Sequence, residues 1–174
     1  MKVLLHICCA VCASVCVEKL REEGSEVSGF FYNPNIHPEP EYLKRLNDLE
    51  NFAKRLDFPF FIAGYNPDKW FKLIKGLENE PEGGKRCEVC FRIRLNEAYR
   101  FAKKKGFDGF TTTLTVSPHK DSEVINKVGR DLAGLFFLAR NFKKNDGFKR
   151  AIELSKEYGL YRQSYCGCIF SQGK

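Results

Sequence analysis

Seven of the eight cysteines in this chain stand in three tight groups, Cys8-Cys9-x-x-Cys12, Cys87-x-x-Cys90 and Cys166-x-Cys168. Spacings this short put several sulfurs within reach of one metal centre or one redox partner. A thiol used as a small apolar core residue has no reason to arrive in groups. Cys16, flanked by Val15 and Val17, is expected to be such a core thiol. Cys87-x-x-Cys90 at a helix start is a strong metal-pair signal, because the turn aims both sulfurs at one point and the free backbone N–H groups favour thiolate. Two pairs from two loops supply four thiolates for an iron–sulfur cluster or a structural zinc. Adjacent cysteines project in different directions, so Cys8 and Cys9 suit two corners of a polynuclear cluster better than one tetrahedral ion. Zinc needs four ligands and leaves three grouped cysteines without a role. Cys166-Gly167-Cys168 can close a strained, easily reduced disulfide or offer thiolates to an exposed metal.

Eight cysteines in 174 residues fall below the roughly 8–10% of a disulfide-stapled secreted domain. Met1-Lys2 leads straight into an apolar run with no secretory leader pattern. The expected compartment is therefore the reducing cytoplasm, where grouped cysteines serve metals or redox chemistry. With a mean hydropathy of −0.38 and no long apolar stretch, a membrane span is not expected. A net charge of +7 and a pI near 9.0 favour a polyanionic partner such as nucleic acid. The basic residues fall in short groups, Lys103-Lys104-Lys105, Lys143-Lys144 and Lys149-Arg150, which suits a folded basic face.

The elements that must position these groups alternate. Strands are predicted over 2–7, 26–32, 58–63, 109–116 and 135–139, and helices over 10–23, 39–56, 67–77, 88–105, 121–132 and 148–158. Such alternation predicts one α/β domain over 1–174: a mainly parallel, Rossmann-like five-stranded sheet with helices on both faces. Ligands then sit beyond the carboxyl ends of the strands, where Cys8 and Cys9 follow the first strand. His6 lies inside that strand and is expected to be a satisfied core histidine. His37 and His119 fall in loops on the ligand side, and residues 160–165 (LYRQSY) read as a ligand-facing wall. No dinucleotide fingerprint and no Walker A loop are present.

LLHICCAVC (4–12), FYNPNIHPEPEYLKR (31–45), GLENEPEGGKRCEVCFRIRL (76–95), TTTLTVSPHK (111–120) and KRAIELSKEYGLYRQSYCGCIFS (149–171) together resemble the QueH-type, cobalamin-independent epoxyqueuosine reductases. The resemblance covers nearly the whole chain, with Val11 where the family often has proline. It implies reduction of the epoxide of a modified wobble base in tRNA, a [4Fe–4S] cluster and a further mononuclear iron close by. It also implies a sheet related to the nucleotide-hydrolase and PP-loop group, with the cysteine loop in place of the phosphate loop.

On this reading Cys8, Cys9, Cys87 and Cys90 hold the cluster, since two pairs from opposed loops make the simplest cage; Cys168 can stand in for Cys8. Cys12, Cys166 and Cys168 are left for catalysis, as ligands of the second iron or as a redox dithiol. The expected partners are tRNA bearing epoxyqueuosine and an unidentified electron donor. Phosphate contacts are expected from Lys103, Lys104, Lys105, Lys143, Lys144 or Lys149, and base stacking near Tyr161 or Tyr165. Tyr32, His37, His119 and Tyr165 are candidate proton donors, and Glu78, Glu80, Glu82 and Asp121 candidate ligands of the second iron. The rivals are a zinc-stabilised RNA-binding module and a sulfur-transferring tRNA-modifying enzyme of similar fold.

Overall fold

The computed structural model describes residues 1–172. β1 (Lys2–Ile7) is a continuous apolar run whose Val3, Leu4, Leu5 and Ile7 are fully buried, as a strand covered on both faces requires. It pairs in parallel with β2 (Glu26–Phe31) on one side and β4 (Gly109–Thr112) on the other, and β3 (Phe60–Ile62) extends the sheet beyond β2. The spatial order is β3-β2-β1-β4.

α1 (Ala10–Glu22) and α2 (Glu39–Arg55) carry the chain from β1 to β2 to β3, always in one direction. α3 (Pro67–Leu73) and α4 (Lys85–Lys105) bring it back across to β4. Because such crossovers are right-handed, the reversal puts α1 and α2 on one face and α4 on the other. α5 (Ser122–Ala133) packs on α4, and α6 (Gly147–Glu157) on α1. The order reverses between β1 and β4, so the crevice beyond their carboxyl ends is the switch point where such sheets bind ligands. Cys8 follows β1 there and Thr113 follows β4; the Cys8 amide donates to the Thr113 hydroxyl at 3.2 Å.

The parallel α/β architecture agrees with the sequence, but among the described residues the sheet has four strands and not five. The segment 135–139 keeps a single bridge, Phe110 to Phe137, with Leu138 N–H donating to Phe110 O at 2.8 Å. Side chains take over the backbone groups that a ladder would use. Thr112 Oγ1 accepts from Leu114 N–H and turns 113–116 into a 3₁₀ helix, which ends β4 early. Asn126 donates to Arg140 O, and Phe142 N–H goes to Thr115 Oγ1. Local side-chain bonds of this kind compete directly with sheet ladders. α4 also begins earlier than expected: Glu80 Oε2 accepts from Lys85 N–H, so Cys87 lies in the first turn and Cys90 in the second.

Candidate metal centre

Cys9 is the N-cap of α1 in extended backbone, and Cys12 follows one turn later. The Sγ atoms of Cys8, Cys9 and Cys12 all lie within 4.8 Å of one another, and those of Cys8 and Cys9 are 3.9 Å apart. The expected divergence of the adjacent pair is therefore corrected. Thiolates at about 2.3 Å from one metal stand about 3.8 Å apart, so this pair can also face a single ion. The chain bends at Cys8, between the end of β1 and the cap position of Cys9. Among the described residues, no other three Cys, His, Asp or Glu donors gather this tightly.

The triad shares its protons unevenly. The neighbouring Cys12 and Cys9 sulfurs, with help from Lys120 and the Thr113 hydroxyl, hold the Cys8 thiol well below its ordinary range. Cys12 is pushed well up by the neighbouring Cys8 and Cys9 and by burial. Cys9 is pushed up to about 12: its bond from Cys12 is outweighed by Cys8 and by burial. The Gln163 side-chain amide donates to Cys9 Sγ at 3.0 Å, and Thr113 Oγ1 stands 3.3 Å from Cys8 Sγ. Cys16 is fully buried and its thiol pushed up by desolvation, in keeping with a core role.

Cys90 and Cys168 are buried in a second cluster with Trp70 and Ile74, and Cys166 packs against it. Burial pushes the Cys90 thiol up, opposed by the Arg94 guanidinium and the Trp70 indole N–H. Cys168 is pushed up to about 11, again by burial. Cys87 is half-buried and its sulfur accepts from Gly83 N–H at 3.2 Å. Cys87, Cys90, Cys166 and Cys168 line one small cavity. Cys8, Cys12 and Cys166 line an adjoining cavity of about 310 Å³. Glu82, Arg94, His119, Lys120 and Cys166 belong to both linings. Two thiol sets thus face a common wall that carries Arg94 and Lys120 beside Glu82.

The C-terminal pair reaches this place through contacts no spacing announces. Arg45 on α2 is 1% exposed; its Nη1 and Nη2 donate to Cys166 O and Tyr165 O, each at 3.0 Å, while Nε pairs with Glu41 at 2.8 Å. The loop after β2 completes the clamp. His37 N–H donates to Gly167 O at 2.7 Å, and the Tyr165 hydroxyl to His37 O. Gly167 has φ +118°, and a Cβ there would stand 2.9 Å from Ile36 and 3.2 Å from Arg45. Gly167→Ala is expected to destabilise the protein by about 1–3 kcal/mol through backbone strain alone. Denaturant melts read this directly, and an unchanged midpoint would show that the loop relaxes freely.

The remaining candidates sort by position. His6 is fully buried: Nε2 donates to Tyr32 O (3.1 Å), so the bare Nδ1 accepts from Thr112 Oγ1 (2.9 Å). Its pKa is lowered to about 4 by burial and then by Arg94, so it is a neutral core residue. Tyr32 is buried. His37 is sandwiched against Phe71 and Trp70 with Nε2 on Pro34 O, away from both cavities. His119 and Tyr165 line the cavities, whereas Tyr161 turns to Glu41 and Lys44. Glu82 and Asp121 line the small cavity, but Asp121 also caps α5 and Glu80 caps α4; Glu78 is exposed outside both linings. Lys103, Lys104 and Lys105 end α4, 13–15 residues past Cys90, so they stand about 20 Å from the thiols. Lys143 Nζ is spent on the Ser117 and Lys120 carbonyls. The basic groups at the cavities are Arg86, Arg94, Lys120 and Arg162, none of which belongs to the three charge runs.

A family model described as "Epoxyqueuosine reductase QueH" matches residues 3–174. The chain is 40% identical to the epoxyqueuosine reductase QueH of Streptococcus pyogenes serotype M1, over 97% of this chain and 69% of that protein. It is 42% identical to that of Acinetobacter baylyi, over 98% and 80%, and 36% identical to that of Thermotoga maritima, over 97% and 89%. Among solved structures, the U34-tRNA thiolase NcsA from Methanococcus maripaludis with its [4Fe-4S] cluster shares the fold, with a TM-score of 0.55 and 12% identity. That likeness covers 94% of this chain and 58% of the thiolase. Along nearly its whole length, from β1 to the C-terminal cysteine pair, the chain belongs to the epoxyqueuosine reductase QueH family.

Proposed function

We propose that this chain, as one α/β domain over 1–174, converts epoxyqueuosine to queuosine in tRNA. The net change adds two electrons and two protons, breaks two C–O bonds of the epoxide and leaves an alkene and water. The observation that carries the reading, beside the family, is the convergence of thiols at the switch point. Six of the seven grouped cysteines line two adjoining cavities, and Cys9 stands 3.9 Å from Cys8. The donor set fits a [4Fe–4S] cluster: sulfur ligands, N–H or O–H groups on Cys8, Cys9 and Cys87, and a buried cation beside them. Such a cluster supplies electrons one at a time. Cys8, Cys9, Cys87 and Cys90 are its proposed ligands, with Cys12, Cys166 and Cys168 for a second iron or for dithiol chemistry. The 4.8 Å triad favours a second reading, in which Cys8, Cys9 and Cys12 hold the cluster and one corner stays open.

At about 310 Å³ the larger cavity is near the lower end of the roughly 300–1,000 Å³ of small-molecule sites, enough for one extruded base. Tyr165 offers a ring face there, Lys120 and Arg162 attract the tRNA backbone, and exposed His119 is placed to move a proton. No helix among the described residues is long and apolar enough to cross a membrane. The test is an anaerobic assay on epoxyqueuosine-containing tRNA with a chemical electron donor, read by mass spectrometry of the nucleosides. Loss of one oxygen is expected. Its absence with cluster-replete enzyme sinks the function, and equal turnover of the free nucleoside sinks only the need for tRNA.

A further inference from the structure

Among the described residues, Arg94 is a buried charge with no acid within 4.0 Å, although Glu82 shares both cavity linings with it. It is 3% exposed, its Nε donates to Cys90 O at 3.3 Å, and its guanidinium carbon lies 5.8 Å from the Phe91 ring centre. None of the ion pairs within 4.0 Å among the described residues includes it. Of the other two buried guanidiniums, Arg45 pairs with Glu41 and two carbonyls, whereas Arg86 gives only its Nη1 to the carbonyls of Leu77, Glu78 and Glu80 and lines only the small cavity. A cation taken out of water is strongly unfavourable unless an anion compensates it. The bond from Nε to the carbonyl one turn back folds the side chain toward the start of α4, where Cys87 and Cys90 lie. Arg94 lines both cavities, with Cys8 and Cys12 in one and Cys87, Cys90, Cys166 and Cys168 in the other. At this burial a tRNA phosphate reaches it only by leaving water as well. The anion it fits is one already inside, the thiolate cage.

We propose that Arg94 is the fixed counter-charge of the iron–sulfur centre, offsetting the anionic cage and holding its reduction potential up. This rests on the assignment of a cluster to these cysteines. One-electron reduction adds a negative charge to an already anionic centre. A cation held close by in a low-dielectric interior therefore favours the reduced form more than the oxidised one. Arg94 acts through the cluster and is a positioning residue, not a catalytic one.

The experiment is a dithionite titration with redox mediators of anaerobically loaded wild type, Arg94→Lys and Arg94→Gln, following the electron paramagnetic resonance of the reduced cluster. Arg94→Gln is expected to weaken one-electron reduction at least tenfold, a midpoint lower by about 59 mV, while Arg94→Lys stays close to wild type. An unchanged midpoint in cluster-replete Arg94→Gln overturns the proposal. Should that variant not load, thermal melts of the metal-free proteins decide. A melting temperature equal to or above wild type supports the counter-charge, because an uncompensated cation has been removed, and one several degrees lower marks Arg94 as structural and overturns it. Wild-type protein that binds no cluster overturns both the cluster assignment and the role of Arg94, whereas the variant results bear on Arg94 alone.

Discussion

Anaerobically reconstituted Cys87→Ser protein is expected to lack the broad visible absorption of an iron–sulfur cluster and to show no epoxide reduction above background. Cys12→Ser is expected to keep the iron and sulfide of the cluster itself. Serine retains the size of cysteine but offers a hydroxyl that binds iron far less well than thiolate, so the substitution removes a ligand with little disturbance of packing. Cys87 is the more exposed of its pair and already accepts an N–H bond from Gly83, as a cysteinate ligand does. Cys12 is buried beside Cys8 and Cys9, which push its thiol well up. Iron and sulfide analysis separates the two ligand sets. Full cluster content in Cys87→Ser with loss in Cys12→Ser would establish the three-cysteine alternative, while Cys9→Ser loses the cluster under either.

Arg45→Leu is expected to destabilise the protein by about 3–5 kcal/mol, because it breaks a buried ion pair from one side. For a chain of this size that lowers the melting temperature by about 6–20 °C. Glu41 would keep only the Tyr161 hydroxyl at 3.0 Å, and the carbonyls of Tyr165 and Cys166 would lose their donors. The loss should concentrate in residues 165–168, so alkylation of Cys166 by a thiol reagent should quicken well below the melting transition. Turnover should fall further than stability accounts for. A destabilisation below about 1 kcal/mol with unchanged alkylation would mean that the loop of residues 33–37 holds the segment unaided.

The residue order by itself determined three things. The i, i+3 spacing in Cys9-x-x-Cys12 and Cys87-x-x-Cys90 places each pair on one turn, whatever the rest of the chain does. The alternation of apolar runs with amphipathic segments determined the parallel sheet, and with it the position of Cys8 at the carboxyl end of β1. The joint pattern of the cysteine groups marked the family.

Only the tertiary structure decided the rest. At the bend between β1 and α1 the sulfurs of Cys8 and Cys9 come within 3.9 Å, although adjacent side chains ordinarily diverge. Thr112 and Asn126 divert the backbone bonds that a fifth strand needed. Arg45 docks a segment 120 residues away, and Gln163 meets Cys9 across 154. Arg94 reads in sequence as one more basic residue on a helix, and only its burial shows an unpaired charge. The physical reason is common to all of these. Spacing governs groups that share a turn of backbone, whereas a buried polar atom takes whichever partner the packed core brings to it, and that partner can lie anywhere along the chain.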